Sequence, residues 1–224
     1  MSGPERPPAW SPPSRPSWPP SPYPSPPHWP SPSPPPWPSP RPEPAAPGLE
    51  LELADRLLAQ RVVLLSGRLD GAASTAAVAR LMLLDADSGE RIELRISCPD
   101  GELDASLVLA EAVDLLRSPV TAVLLGTVGG PVLAVVAAAD DVTAHANATL
   151  VLREPRTSAS GRADELVSVG EQHAKQVAEL SARIAASSGR TPQDVAADLR
   201  GGRLLDAGQA VEYGLVDELL PPRR

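Results

Sequence analysis

The chain has 224 residues, a formal net charge of −8, one cysteine and 29 prolines. At roughly 100–200 residues per domain, this is room for one domain and an appendage. A single cysteine excludes a disulfide framework or a thiolate zinc cluster and points to a reducing, cytoplasmic setting, while the acidic balance, with no long Lys/Arg run, argues against nucleic acid as a partner.

The first 48 residues differ in composition from the rest. Within Met1–Pro47 fall 22 of the prolines and all four tryptophans, Trp10, Trp18, Trp29 and Trp37. Proline removes backbone donors and fixes φ, so residues 1–48 are expected to be a disordered, extended tail of polyproline II character. Arg6, Arg15 and Arg41 against Glu5 and Glu43 give the tail a net charge of +1, which leaves −9 for the remainder. Trp29-Pro30-Ser31-Pro32 and Trp37-Pro38-Ser39-Pro40 form a loose repeat. Two uses stay open: a ligand for aromatic-lined grooves or Ser-Pro kinases, or a plain tether. No secretory signal is expected, because no apolar core of the required length follows the first basic residue.

Residues 49–224 are expected to form one α/β domain, and short apolar runs alternate there with helical stretches. Arg61–Leu65 reads as a buried strand closed by Gly67, and Ala72–Leu84 as a helix. Arg91–Ser97 alternates with period two and reads as a strand; Leu103–Leu116 is helical up to Ser118-Pro119. Val120–Leu125 is a strand, Gly126–Gly130 a turn, and Pro131–Ala139 a helix with proline at its first position. Thr149–Leu152 is a strand, and Ala163–Ser187 a long helix stopped by Gly189. Thr191 caps a further helix, Asp206 caps the last one up to Gly214, and Val216–Leu220 is a final strand. The alternation implies βαβ units, right-handed crossovers and a largely parallel sheet. Ser118–Ala139 is uncharged and long enough to weigh as a membrane span, but Gly126, Gly129, Gly130 and Pro131 at its centre favour a buried strand–turn–helix, so no membrane partner is expected.

Two loops, Ser97-Cys98-Pro99-Asp100-Gly101 and Gly126-Thr127-Val128-Gly129-Gly130-Pro131, each follow a strand and precede a helix. Such turns can aim backbone N–H groups at an anion or oxyanion. In this order they resemble the proteolytic subunit of the Clp protease, whose motifs read Asn-Ser-Pro-Gly-Gly and Gly-Gln-Ala-Ala-Ser-Met-Gly at these two places. Asn147 to Pro155 resembles that family's Asn-x-x-x-Met-Ile-His-Gln-Pro. Asp206 to Asp217, with Glu212-Tyr213-Gly214-Leu215-Val216-Asp217 nearly unchanged, resembles its closing Ser-Ala-x-Glu-Ala-x-Glu-Tyr-Gly-Leu-Ile/Val-Asp. The resemblance runs from about Leu57 to Leu220 and does not include the tail. It implies the Clp/crotonase-like fold: repeated βαβ units, a largely parallel sheet and a long protruding helix. It also implies rings of seven subunits, stacked in pairs through the long helix.

The departures from the motifs are chemical. By the resemblance, the nucleophilic serine falls on Gly130, the general-base histidine on Arg153 and the orienting aspartate on Gly202. The two oxyanion N–H positions fall on Gly101, which keeps its N–H, and Pro131, which has none. A Ser–His–Asp mechanism needs all three groups in contact, so a divergent member without the triad is expected, with no catalytic residue, metal or cofactor. Of the remaining candidates, His145 and His173 read as structural or exposed, Ser97 has no assignable base, and Cys98 reads as a small buried apolar residue. Arg153 has two readings: an anion site, such as for a peptide C-terminal carboxylate, or an ordinary surface side chain that pairs with Glu154, Asp140 or Asp141 or simply points to solvent. The expected function is that of a silent subunit that assembles with Clp-type proteolytic subunits, and with a Clp ATPase as a further partner. An active ATP-dependent serine endopeptidase and a crotonase-type acyl-CoA enzyme are the alternatives.

Overall fold

The computed structural model describes residues 47–157 and 160–220; the tail reading falls on residues 1–46, outside the described residues. The described chain opens with helix α1, Pro47–Leu58, which packs against strand β1, Val62–Leu69. Helix α2, Gly71–Asp87, begins at Asp70, whose carboxylate accepts the Ala73 N–H at 2.8 Å as a side-chain N-cap. Its far end is held by Arg61, which donates to the carbonyls of Leu84 at 3.1 Å and Ser88 at 3.2 Å, a cation on the carbonyl-rich end of a helix.

Next come β2, Ile92–Gly101, α3, Leu103–Asp114, β3, Val120–Leu124, and β4, Thr127–Gly129. A 3-10 turn, Gly130–Val132, leads into the short α4, Leu133–Ala137. Then follow β5, Asp141–His145, β6, Thr149–Leu152, the long α5, Ala163–Ser188, α6, Pro192–Gly201, β7, Arg203–Asp206, α7, Ala207–Tyr213, and β8, Glu218–Leu220.

Five strands form one parallel sheet in the order β1-β2-β3-β5-β8. A second, three-stranded sheet has the order β4-β6-β7, with β4 parallel and β7 antiparallel to β6. Residues of alternate parity on β2 and β3 (Ile92, Leu94, Ile96; Val120, Ala122, Leu124) are buried together with Leu81, Leu109 and Leu133. Each valine, leucine or isoleucine among them removed from water contributes about 1.5–3 kcal/mol. Carboxylates complete the backbone bonding where strands begin. Asp140 accepts the Val120 N–H and Asp217 the Val142 N–H, each at 2.7 Å. Asp85 accepts the N–H groups of Ser118 at 2.8 Å and Arg117 at 3.0 Å, and the Ser118 N–H above all holds its carboxyl below the ordinary aspartate range.

Several local expectations are corrected. β1 does not stop at Gly67; it passes through that residue, at φ +78°, with a register shift between Ser66 and Arg68. Ser97–Gly101 is not a turn but the end of β2, paired with β1 as far as Leu69 opposite Gly101. The helix expected over Pro131–Ala139 is the 3-10 turn plus five α-helical residues. Gly126–Gly130 holds strand β4, and β5 and β7 lie where no strand was expected. Ser118–Ala139 folds as β3, β4, the 3-10 turn and α4, and among the described residues no helix is long and apolar enough to cross a membrane. Helix α5 divides into two halves: Leu180, Ile184 and Ala185 are buried, whereas Leu166, Val167 and Val169 are exposed on the projecting half.

Candidate functional site

The residues singled out in the sequence meet where β2 ends, the 3-10 turn begins and the chain leaves β6. Gly129 closes β4 against β6 so tightly that a Cβ there would stand 2.7 Å from the Val151 Cβ and 2.9 Å from its carbonyl oxygen. Gly130 follows at φ +58°, a left-handed conformation that side chains disfavour, and a Cβ on it would lie 2.9 Å from the Asp100 Oδ1. Its neighbour Pro131 is buried at the second position of the turn, still among the first N–H groups that have no partner within a helix, so its missing N–H costs little structurally.

Asp100 reaches over Gly130 from the last turn of the β2 ladder. Its Oδ2 stands 3.6 Å from a guanidinium nitrogen of Arg153 and 3.6 Å from one of Arg68. The expected partners of Arg153 are therefore corrected. Asp140 is engaged by the start of β3 and Asp141 by Arg91, so Arg153 turns to Asp100 instead. Gly202 caps α6 at φ +70° and precedes Arg203, which pairs with Leu152 across β6 and β7; the register sets Gly202 beside Arg153. No atom lies within 4 Å of a Cβ placed on Gly202, so this position contributes no contact to the cleft. Gly101 is buried beneath, its Cβ position 3.0 Å from the Val132 side chain.

Two connected hollows open from this point. One of about 350 Å³ is lined by Arg68, Asp100, Gly101, Arg153, Glu154 and Arg156, among others. The other, of about 670 Å³, shares Arg68, Gly101, Pro155 and Arg156 with it and continues past Glu102 and Asp104 to Gln172, His173 and Gln176 on α5.

The other candidate nucleophiles and bases are engaged elsewhere or sealed. His145 ends β5, and its Nδ1 accepts the Asn147 N–H at 3.3 Å. His173 is half-buried on α5 and lines the larger hollow, a place the expected solvent-facing position did not anticipate. Cys98 is 1% exposed, and burial pushes its thiol up to about 11, so it is not a thiolate near neutral pH. The buried hydroxyls of Ser74, Ser106, Ser118 and Ser181 all donate to backbone carbonyls. Among the described residues, no serine, threonine or cysteine is hydrogen-bonded to a histidine.

Sequence reasoning missed Asp100, Arg68 and Arg156 as members of this site. The signal for Asp100 was present: it stands where the resembled motif has glycine, one residue before Gly101. Asp100 and Arg153 carry opposite charges and pair across the cleft above Gly130.

A family model described as Clp protease matches residues 49–223. An ATP-dependent Clp protease proteolytic subunit-like protein of Streptomyces coelicolor is 34% identical over 175 residues, covering 75% of this chain and 82% of that protein. ATP-dependent Clp protease proteolytic subunit 1 of Nocardia farcinica is 27% identical over 175 residues, covering 77% of this chain and 89% of that protein.

Proposed function

Because the chain belongs to the Clp protease family, we propose that it is a catalytically silent proteolytic-subunit homologue that acts as a structural or regulatory member of a Clp-type assembly. The observation that carries this reading is the Asp100–Arg153 ion pair over Gly130. Peptide hydrolysis needs an activated nucleophile and a base within hydrogen-bond reach of it. Here arginine does not give up its proton near neutral pH and glycine has no side chain, so neither a nucleophile nor an imidazole base stands at these two positions. Pro131 also withholds a backbone N–H from any oxyanion formed beside Gly130. Without these, the fold's remaining use is surface: the projecting half of α5, with Leu166, Val167 and Val169 exposed, suits contact with a second ring of subunits. Such a subunit alters the number of working sites in a mixed ring, or the docking of an ATPase, and does no cutting itself.

The test uses the purified full chain, alone and mixed with an active proteolytic subunit from the same cell. The expected result is no cleavage of a fluorogenic peptide and no labelling by a fluorophosphonate for the chain alone, with native mass spectrometry reporting mixed rings. Cleavage that is lost on fluorophosphonate treatment overturns the silent assignment; a chain that never joins a ring overturns the assembly role.

A further inference from the structure

Arginines left without hydrogen-bonded partners crowd one end of the cleft. Arg68 and Arg153 share Asp100 alone, each at 3.6 Å, which is an ion-pair distance too long for a hydrogen bond. Arg156 has no ion-pair or hydrogen-bond partner among the described residues. Their side chains remain accessible, Arg68 at 62% and Arg153 at 46% exposed, and Asp100 is itself 43% exposed. Two arginines that hold the fold together are bound closely by contrast: Arg61 donates to four carbonyls and to Ser118, and Arg183 is 2.6 Å from Asp114 and 3.2 Å from Glu179. Three loosely held guanidiniums against two carboxylates, Asp100 and Glu154, make a positive spot on a chain whose net charge is −8.

We propose that this cleft binds the C-terminal carboxylate of a peptide, with Arg153, Arg68 and Arg156 as its clamp and Asp100 as the internal carboxylate that occupies the clamp when it is empty. The guanidinium fork matches a planar carboxylate in two parallel bonds, a geometry that Asp100 does not reach. Displacing Asp100 costs little, because exposed ion pairs are screened by water and contribute little to stability. The extended shape of the site favours a peptide over a small carboxylate: the hollow beside the clamp runs on for about 670 Å³ to the α5 helix. Its polarity orients the guest, with arginines at one end and Glu102 and Asp104 further along. A chain entering with its carboxylate at Arg153 places its upstream residues against those acids, so a basic residue there adds attraction. The inference stands on the arginines rather than on the loss of hydrolysis, and recovery of the peptide uncut separates the two questions.

The measurement is fluorescence anisotropy on the full chain at low salt with the dye-labelled peptide Lys-Ala-Leu-Ala-Ala as free acid and as C-terminal amide, and with acetate as competitor. The expected result is binding of the free acid at least tenfold tighter than the amide, weakened at least fivefold by Arg153→Gln and by Arg68→Gln, and unchanged or strengthened by Asp100→Asn. Melting curves check that each variant is folded. Mass analysis of the recovered peptide shows it intact; shortened peptide overturns the silent assignment above and leaves the clamp to be judged from the binding ratios. Equal binding of acid and amide, no binding of either, or indifference to both arginine substitutions overturns the clamp. Displacement by acetate at a concentration matching the peptide's overturns the peptide as its occupant.

Discussion

Two clusters in this molecule each set arginines around an aspartate, and they are built differently. At the close of the chain, Tyr213 is 2% exposed and its hydroxyl donates to Asp198 at 2.9 Å. Arg203 meets the same carboxylate at 3.2 Å, and Arg190 lies 3.9 Å over the tyrosine ring while donating to the Tyr213 carbonyl. Burial, with the Asp198 carboxylate second, pushes the tyrosine hydroxyl up to about 12. Every polar group there has a close partner, and the cluster ties α6, β7 and α7 together. At the cleft, the aspartate and its two arginines stand at 3.6 Å and a third arginine is unpartnered. The contrast separates structure from readiness: a satisfied network holds the fold, and an unsatisfied exposed one is available to something else.

The comparison breaks most visibly at Tyr213. Replacing it with alanine empties a buried site and removes the hydroxyl donor to Asp198 and the ring under Arg190, and urea unfolding is expected to show a loss of about 3–5 kcal/mol. A loss below about 1 kcal/mol sinks the claim that this cluster is structural. Next in size is Gly130→Ser, alone or with Arg153→His, the pair putting back the serine and histidine of the resembled motif while Gly202 stays glycine. Its left-handed φ is expected to cost about 1–2 kcal/mol, and no cleavage of a fluorogenic peptide should appear, because Pro131 still lacks its N–H. Appearance of turnover would place the block in the side chains alone. The smallest effect is expected at Cys98, the one thiol near the cleft. With its folded pKa raised to about 11, it should resist iodoacetamide at pH 7.5 in the native chain and react fully in denaturant. The raised value also means that deprotonation opposes folding, so native protection is retained across neutral pH and weakens only as the pH climbs past the ordinary thiol range.

Much of the fold could be read from residues whose physics is local. Thr191 and Asp206 cap helices because a short side-chain oxygen meets an N–H three residues on, a relation contained in the sequence itself. Thr149–Leu152 and the bounds of α5 followed from pattern in the same way. What failed depended on distant pairing. Pro99-Asp100-Gly101 has turn composition, yet β1 lies alongside and draws it into the ladder. Asp141–His145 and Arg203–Asp206 are short, polar strands, stabilised by neighbours rather than by propensity. At the site, motif positions indicated which groups are missing, while the ion pair in their place joins residues 53 apart in sequence and needed the fold to become visible.

Asp140 and Asp217 finish the first donors of β3 and β5 at the amino ends of those strands, while the arginine cleft opens where β2 ends and β6 runs out. The five-stranded sheet thus has a clamped foot, and together with the second sheet it frames an open crown. Softening the foot should lower the melting point and leave the crown's grip on its guest as it was, because groups so far apart contribute nearly additively. Folding and recognition can in this way drift independently at opposite ends of the strands.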